Sequence, residues 1–238
     1  FDADVMCPSY RVTRDEQHST RGRANTLRLA LSGQLGADAM ASDAMRESFA
    51  LCVSCKGCKR ECPTGVDMAK MKIEYLHQHQ QRHGLSTKDK LIAYLPRYAP
   101  YAAKFSRLLN LRDAIPRLAQ WSEEKLGFSA RRPLPKWRPD YFRVNQSRSD
   151  PANGGRDVAL FVDTFTTYFE PENARSALRV LRAAHYNIHL PRAASSSRPL
   201  CCGRTFLSVG LVDEAKKEAQ RLVTAMLPYM EQDIPIVG

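Results

Sequence analysis

Four thiols crowd into one short run, Cys52-Val-Ser-Cys55-Lys-Gly-Cys58-Lys-Arg-Glu-Cys62, closed by Pro63. Thiolates are soft ligands, and three of them two residues apart can reach three corners of a single [4Fe-4S] cube, because the short loops curl around it. A fourth on the same tight loop is poorly placed to complete that cube. Zinc is the competing metal. It takes four ligands in a tetrahedron, normally as two pairs separated by a longer loop, which suits successive x2 spacing badly. Disulfides fit less well still, since bridges between such close neighbours would be strained.

An isolated Cys7-Pro8 stands upstream. In proteins that hold two cubes, the cysteine preceding proline at the end of each run reaches across to the other cluster. By that rule Cys7 completes the set with Cys52, Cys55 and Cys58. Cys62 then belongs to a second cluster whose other three ligands are not in this chain. If zinc is held instead, Cys52, Cys55, Cys58 and Cys62 clamp one ion and Cys7 is dispensable.

Other residues have the types for chemistry. Lys56, Lys59 and Arg60 lie in or beside the cysteine loop, and Arg21 and Arg23 open the helix after Cys7. Cations near such sulfurs raise a cluster's reduction potential; the plain alternative is a solvated surface. His77, His79 and His83 fall on the polar end of a helix, which is no metal site by itself. Cys201-Cys202-Gly203 offers two further ligands, Cys201 and Cys202, on a loop where glycine permits a positive φ. Two ligands do not close a site, and two buried small residues are the alternative. No residue has the setting of a catalytic acid, base or nucleophile: there is no Gly-x-Gly-x-x-Gly between strand and helix and no Gly-x-Ser-x-Gly elbow.

The elements that must position these groups fall into three zones. Residues 1–84 read as helical. A helix capped by Ser19 or Thr20 would turn Ala24, Leu27 and Leu31 inward and end near Gly33. A second, opening at Ser42 or Asp43, aligns Met45, Phe49 and Cys52, and a third from about Asp67 to Arg82 buries Met68, Met71, Tyr75 and Leu76 before Gly84. Residues 85–156 form a helical, proline-rich connector whose end, Asn145 to Arg156, reads as a flexible boundary. From 157 to 238 the period changes. Val158 to Val162 is a buried strand, a helix from Pro171 turns Ala174, Ala177, Leu178 and Leu181 inward, and a strand spans Tyr186 to Leu190. A helix with Val212, Ala215, Ala219, Leu222, Val223 and Met226 inward leads to a last strand at Ile234 to Val237. This alternation predicts a parallel sheet, so the fold class is an all-α part followed by an α/β part.

Composition narrows the function. The chain has 238 residues and a formal net charge of +11, but its arginines lie diffusely among prolines without a recognition helix, zinc-finger spacing or aromatic stacking motif, which argues against nucleic acid. No apolar stretch is long enough to cross a bilayer. Six of the seven cysteines sit in tight clusters, which favours metal ligation in a reducing compartment over a disulfide framework. The cytoplasm is the expected location, with peripheral attachment at the inner membrane as the alternative. Phe1 at the start and the apolar run at the end read as a piece of a longer polypeptide.

The chain resembles the C-terminal iron-sulfur part of bacterial FAD-linked oxidases, the group of D-2-hydroxyglutarate, D-lactate and glycolate dehydrogenase-like proteins. The likeness rests on Cys7-Pro-Ser-Tyr, His18-Ser-Thr-Arg-Gly-Arg-Ala24, the run from Cys52 to Pro63, Asp163-Thr-Phe-Thr-Thr-Tyr-Phe-Glu-Pro171 and Leu200-Cys-Cys-Gly-Arg204. It implies an α-helical ferredoxin domain followed by the first part of a CCG domain. It also implies partners: an upstream FAD domain that oxidises a 2-hydroxy acid, the segment carrying the first cluster, and a quinone or other carrier as acceptor. A ferredoxin-like subunit of a heterodisulfide-reductase type of complex is the alternative. Where cluster-binding CCG domains have a cysteine near the end of the first strand, this chain has Asp163-Thr164.

Overall fold

The computed structural model describes residues 6–143, 155–193 and 198–238. By packing they fall into two units, Phe1–Leu85 with Ser208–Val212, and Ser86–Leu207 with Asp213–Gly238. The boundary read at Asn145 to Arg156 lies almost wholly outside the described residues.

The first unit is built of short helices: α1 (Pro8–Thr13), α2 (Thr20–Leu31), α3 (Asp43–Ala50), α4 (Gly57–Glu61) and α5 (Met68–His83). Side-chain caps set three of the starts. Ser19 accepts from the Gly22 N–H, Ser42 from Met45 and Asp67 from Lys70, each satisfying a donor that the first helical turn leaves free. Gly84, at φ +71°, ends α5. Met45 and Phe49 of α3 pack with Met68 and Tyr75 of α5, the Phe49 and Tyr75 rings stacked at 5.1 Å. Cys52 and Cys58 are drawn against this core.

On α2, Ala24 and Leu27 pack against the core as expected, but the third residue of that stripe does not. Leu31 is 70% exposed, and the buried residues are Arg23 and Ala30. A charged residue, Arg23, is buried at the other end of the helix, because its partners lie inside.

The second unit opens with α6 (Thr87–Ala93), α7 (Leu95–Ala102), α8 (Ser106–Ala114) and α9 (Pro116–Leu126). Then follow β1 (Asp157–Leu160), α10 (Thr164–Tyr168), α11 (Pro171–Ala183), β2 (Asn187–His189), α12 (Arg204–Leu207), α13 (Val212–Met230) and β3 (Ile236–Val237). The three strands form a parallel sheet in the order β2-β1-β3, with Val158 opposite Ile188 and Ala159 opposite Ile236. Each parallel step needs a crossover, and α10 to α11 and α12 to α13 supply them. Leu160, Ala174 and Leu178 make the core beside the sheet. The proline-rich helices pack here too: Ala99 and Ala103 meet Tyr168, with Trp137 and Phe169 alongside.

One feature of this unit ran against the pattern. On α13, Ala215 and Met226 are buried as expected, but Ala219 and Val223 are exposed, and Glu218, between Ala215 and Met226, is buried. On α8 and α9 the buried residues are small, Ser106, Ala119 and Ser122, whereas Leu108, Ile115, Leu118 and Trp121 face solvent.

Candidate metal centre

The loop from Leu51 to Gly57 bends tightly around its cysteines. Ser54 and Lys56 both take left-handed backbone, at φ 54° and φ 59°, on either side of Cys55. Such conformations are costly for residues with a Cβ and persist where the surroundings over-determine them.

One cleft collects four thiols. It is lined by Cys7 and Pro8 from the start of α1, Thr20 and Arg23 of α2, the whole segment from Cys52 to Cys58, and Met68 and Ala69 of α5. Cys62 is not among its walls. Cys55 is exposed; Cys7, Cys52 and Cys58 are half-buried. Among the described residues, no three Cys, His, Asp or Glu side chains converge on a point that one metal ion could occupy. The four thiols ring the cleft. That donor set suits a polynuclear cluster, in which each sulfur binds its own iron at a separate corner.

Cys7 is the most elaborately held. Its Sγ lies 3.1 Å from Ser9 Oγ and accepts from Arg23 Nη1 at 3.3 Å. Burial works against the thiolate, but hydrogen bonds from Ser9, Arg23 and the N–H groups of Tyr10 and Ser9 outweigh it and hold the thiol below its ordinary range. Cys62 stands in a different setting. Its Sγ is 3.1 Å from Thr64 Oγ1, and that hydroxyl with the N–H groups of Val66 and Thr64 lowers its thiol as well.

Of the five cations singled out in the sequence, Arg23 alone is hydrogen-bonded to a cysteine sulfur. Arg21 is 85% exposed and pairs with Glu16, Arg60 pairs with Glu61, and Lys59 lies 3.5 Å from Asp67. Sequence reasoning missed Lys72, whose Nζ donates to the Cys52 carbonyl at 2.6 Å. A signal was present: Lys72 follows Met68 by four residues, on the stripe of α5 that faces the core. The histidines are spoken for otherwise. His77 Nδ1 is 3.0 Å from the Gly210 carbonyl, and the rings of His79 and His83 lie 4.6 Å apart.

Cys201 and Cys202 belong to the second unit, just before α12. Cys201 is buried and Cys202 exposed. The pair shares a hydrogen bond, which raises Cys201 together with burial and lowers Cys202 to about 6. Gly203 follows at φ +79°, where a Cβ would come within 2.9 Å of the Ala215 carbonyl. The loop is clamped from α13: Arg221 donates to the carbonyls of Arg198 and Pro199, and Glu218 accepts from Arg198 at 2.8 Å and from Arg221 at 3.0 Å.

Residues 4–66 match the family model of the 4Fe-4S dicluster domain. Over 99% of its length the chain is 25% identical to the D-2-hydroxyglutarate dehydrogenase of Pseudomonas putida, of which it covers 27%. Over its whole length it is 23% identical to the enzyme of that name from Escherichia coli K12, again covering 27%. Over 92% of its length it is 22% identical to a probable glycolate oxidase iron-sulfur subunit of Bacillus subtilis, of which it covers 51%. The resemblance read from the motifs therefore holds, and the chain spans about a quarter of the first two relatives. No solved structure matches it.

Proposed function

We propose that this chain is the electron-transfer segment of a flavin-linked 2-hydroxyacid dehydrogenase, with one [4Fe-4S] cluster held by Cys7, Cys52, Cys55 and Cys58. The observation that carries the reading is the cleft itself, which gathers Cys7 with these three and leaves Cys62 out. A zinc clamp would need Cys52, Cys55, Cys58 and Cys62 within about 3.8 Å of one another, from the length of a zinc–thiolate bond. The place of Cys7 in the cleft, and of Cys62 outside it, favours the cube.

In this reading residues 1–84 act as an α-helical ferredoxin domain. Cys62, with its thiol lowered, is the remote ligand of a second cluster whose other three cysteines are supplied upstream. A bound cluster takes up and releases one electron at a time. The chain's own residues would hold it: Arg23 favours the Cys7 thiolate, and Met68 and Ala69 line the inner wall. Electrons would come from FAD in an upstream domain or partner subunit and leave to a quinone or another carrier. For a quinone acceptor the meeting place is the inner-membrane surface. α8 and α9 expose Leu108 and Trp121, with Arg107 and Arg117 on the same helices, residue types suited to such a surface.

Anaerobic reconstitution with iron and sulfide tests the reading. The expected product is a brown protein with about four irons per chain, its broad visible absorption bleached by reductant. A colourless protein holding one zinc per chain would overturn it.

A further inference from the structure

We propose that Arg23 is the positioning residue of this centre: it fixes the Cys7 sulfur in the cleft and raises the reduction potential of the cluster bound there. The inference rests on the reading above and adds a residue to it.

Arg23 is 1% exposed. Its guanidinium makes three hydrogen bonds in three directions: Nε to the Ser48 carbonyl at 2.7 Å, Nη2 to Ser9 Oγ at 2.8 Å and Nη1 to Cys7 Sγ at 3.3 Å. One side chain thus ties the end of α3 to the start of α1, which carries Cys7. Only a rigid planar fork reaches three such partners at once; a lysine ammonium at the end of a flexible stem does not.

The charge balance points the same way. Arginine stays protonated in proteins, and a buried cation is expensive unless an anion compensates it. Among the described residues Arg23 forms no ion pair with a carboxylate, in contrast to Arg21, Arg60 and Arg97. The negative group it meets is the Cys7 sulfur. Thiolate-ligated cubes carry net negative charge and gain one more on reduction, so a buried cation at hydrogen-bond distance stabilises the reduced form more than the oxidised one.

Ser9 completes the device. Its hydroxyl accepts from Arg23, and its single proton can go to the His18 carbonyl, 2.9 Å away, or to Cys7. Arg23 keeps the Ser9 oxygen in place 3.1 Å from the sulfur. Arg23 therefore acts on Cys7 directly and through Ser9.

The test is a redox titration of the reconstituted chain, followed by electron paramagnetic resonance, with iron and sulfide counted per chain. Arg23→Gln is expected to lower the midpoint potential and the iron content. Arg23→Lys should keep most of the potential but lose iron faster to a chelator, since the charge remains and the fork does not. Arg21→Gln, at an exposed cation two residues away, should change neither. A potential and iron content in Arg23→Gln equal to wild type, or an equal shift in Arg21→Gln, would overturn the proposal. If Arg23→Gln does not fold, Ser9→Ala decides: a smaller lowering of potential supports the proposal and an unchanged potential overturns it. Failure of wild type to bind a cluster would instead sink the functional reading, so the two failures are distinct.

Discussion

Cys62 Sγ and Thr64 Oγ1 stand 3.1 Å apart in a turn of their own, outside the cleft that Cys7 shares with Cys52, Cys55 and Cys58. The cysteine nearest in sequence to the cleft set is thus replaced by one 45 residues before Cys52. Cys62→Ser should leave iron content and the visible spectrum of the reconstituted chain close to wild type. Cys7→Ser should lose at least half the iron. A zinc clamp predicts the reverse order, so metal analysis of the two variants separates them.

Gly22 sits where α2 passes the turn Glu16–His18, and a Cβ there would lie 1.9 Å from the Glu16 carbonyl oxygen. Backbone cannot give way as a side chain can. Gly22→Ala is expected to cost about 1–3 kcal/mol in chemical denaturation. Because the displaced turn follows α1, the same variant should also take up iron more slowly than wild type.

These residues show what could be read from the chain alone. The x2, x2, x3 spacing of Cys52 to Cys62 is local, so its chemistry was legible without a fold. The caps Ser19, Ser42 and Asp67 were legible for the same reason, each acting within one helical turn. Arg23 and Glu218 were not. Both occupy buried helix faces that apolar periodicity assigns to leucine, alanine or valine, and their partners come from distant sequence: Ser48 for one, Arg198 for the other. A pattern of hydrophobic residues cannot foresee a buried charge, because what makes the burial tolerable is the partner.

Glu218 is 2% exposed and bonded to Arg198 and Arg221, and Arg221 in turn holds the carbonyls of Arg198 and Pro199 just before Cys201. Glu218→Ala removes the carboxylate shared by Arg198, Arg221 and, at 3.6 Å, Arg97. A loss of about 3–5 kcal/mol is expected in denaturant melts. Cys201, now buried, should become open to alkylation in the folded protein, and mass spectrometry of trapped peptides would report it.

Asp140 accepts from Arg138 at 2.9 Å and from Arg175 at 2.9 Å, and these hold its carboxyl well below the usual carboxylate range. A carboxylate depressed in the folded state contributes its stability fully above the unfolded value, near about 4, and loses it as pH falls toward the folded one. The site is half exposed, so the contribution is small. Asp140→Asn should cost about 0.5–1 kcal/mol at neutral pH, the gap closing below about pH 4 in parallel thermal melts.

The segment Ser208–Val212 packs with the first unit, its Gly210 carbonyl meeting His77 Nδ1 at 3.0 Å and Gln80 Nε2 at 3.3 Å. That interlacing has a consequence for how this protein can be cut, tagged or recombined. A gene truncated after residue 85 would carry every cysteine of the cleft yet lack the strip that covers the end of α5. The cysteine-bearing unit is therefore not a cassette that residues 1–85 supply whole; a gene for it must also encode Ser208–Val212.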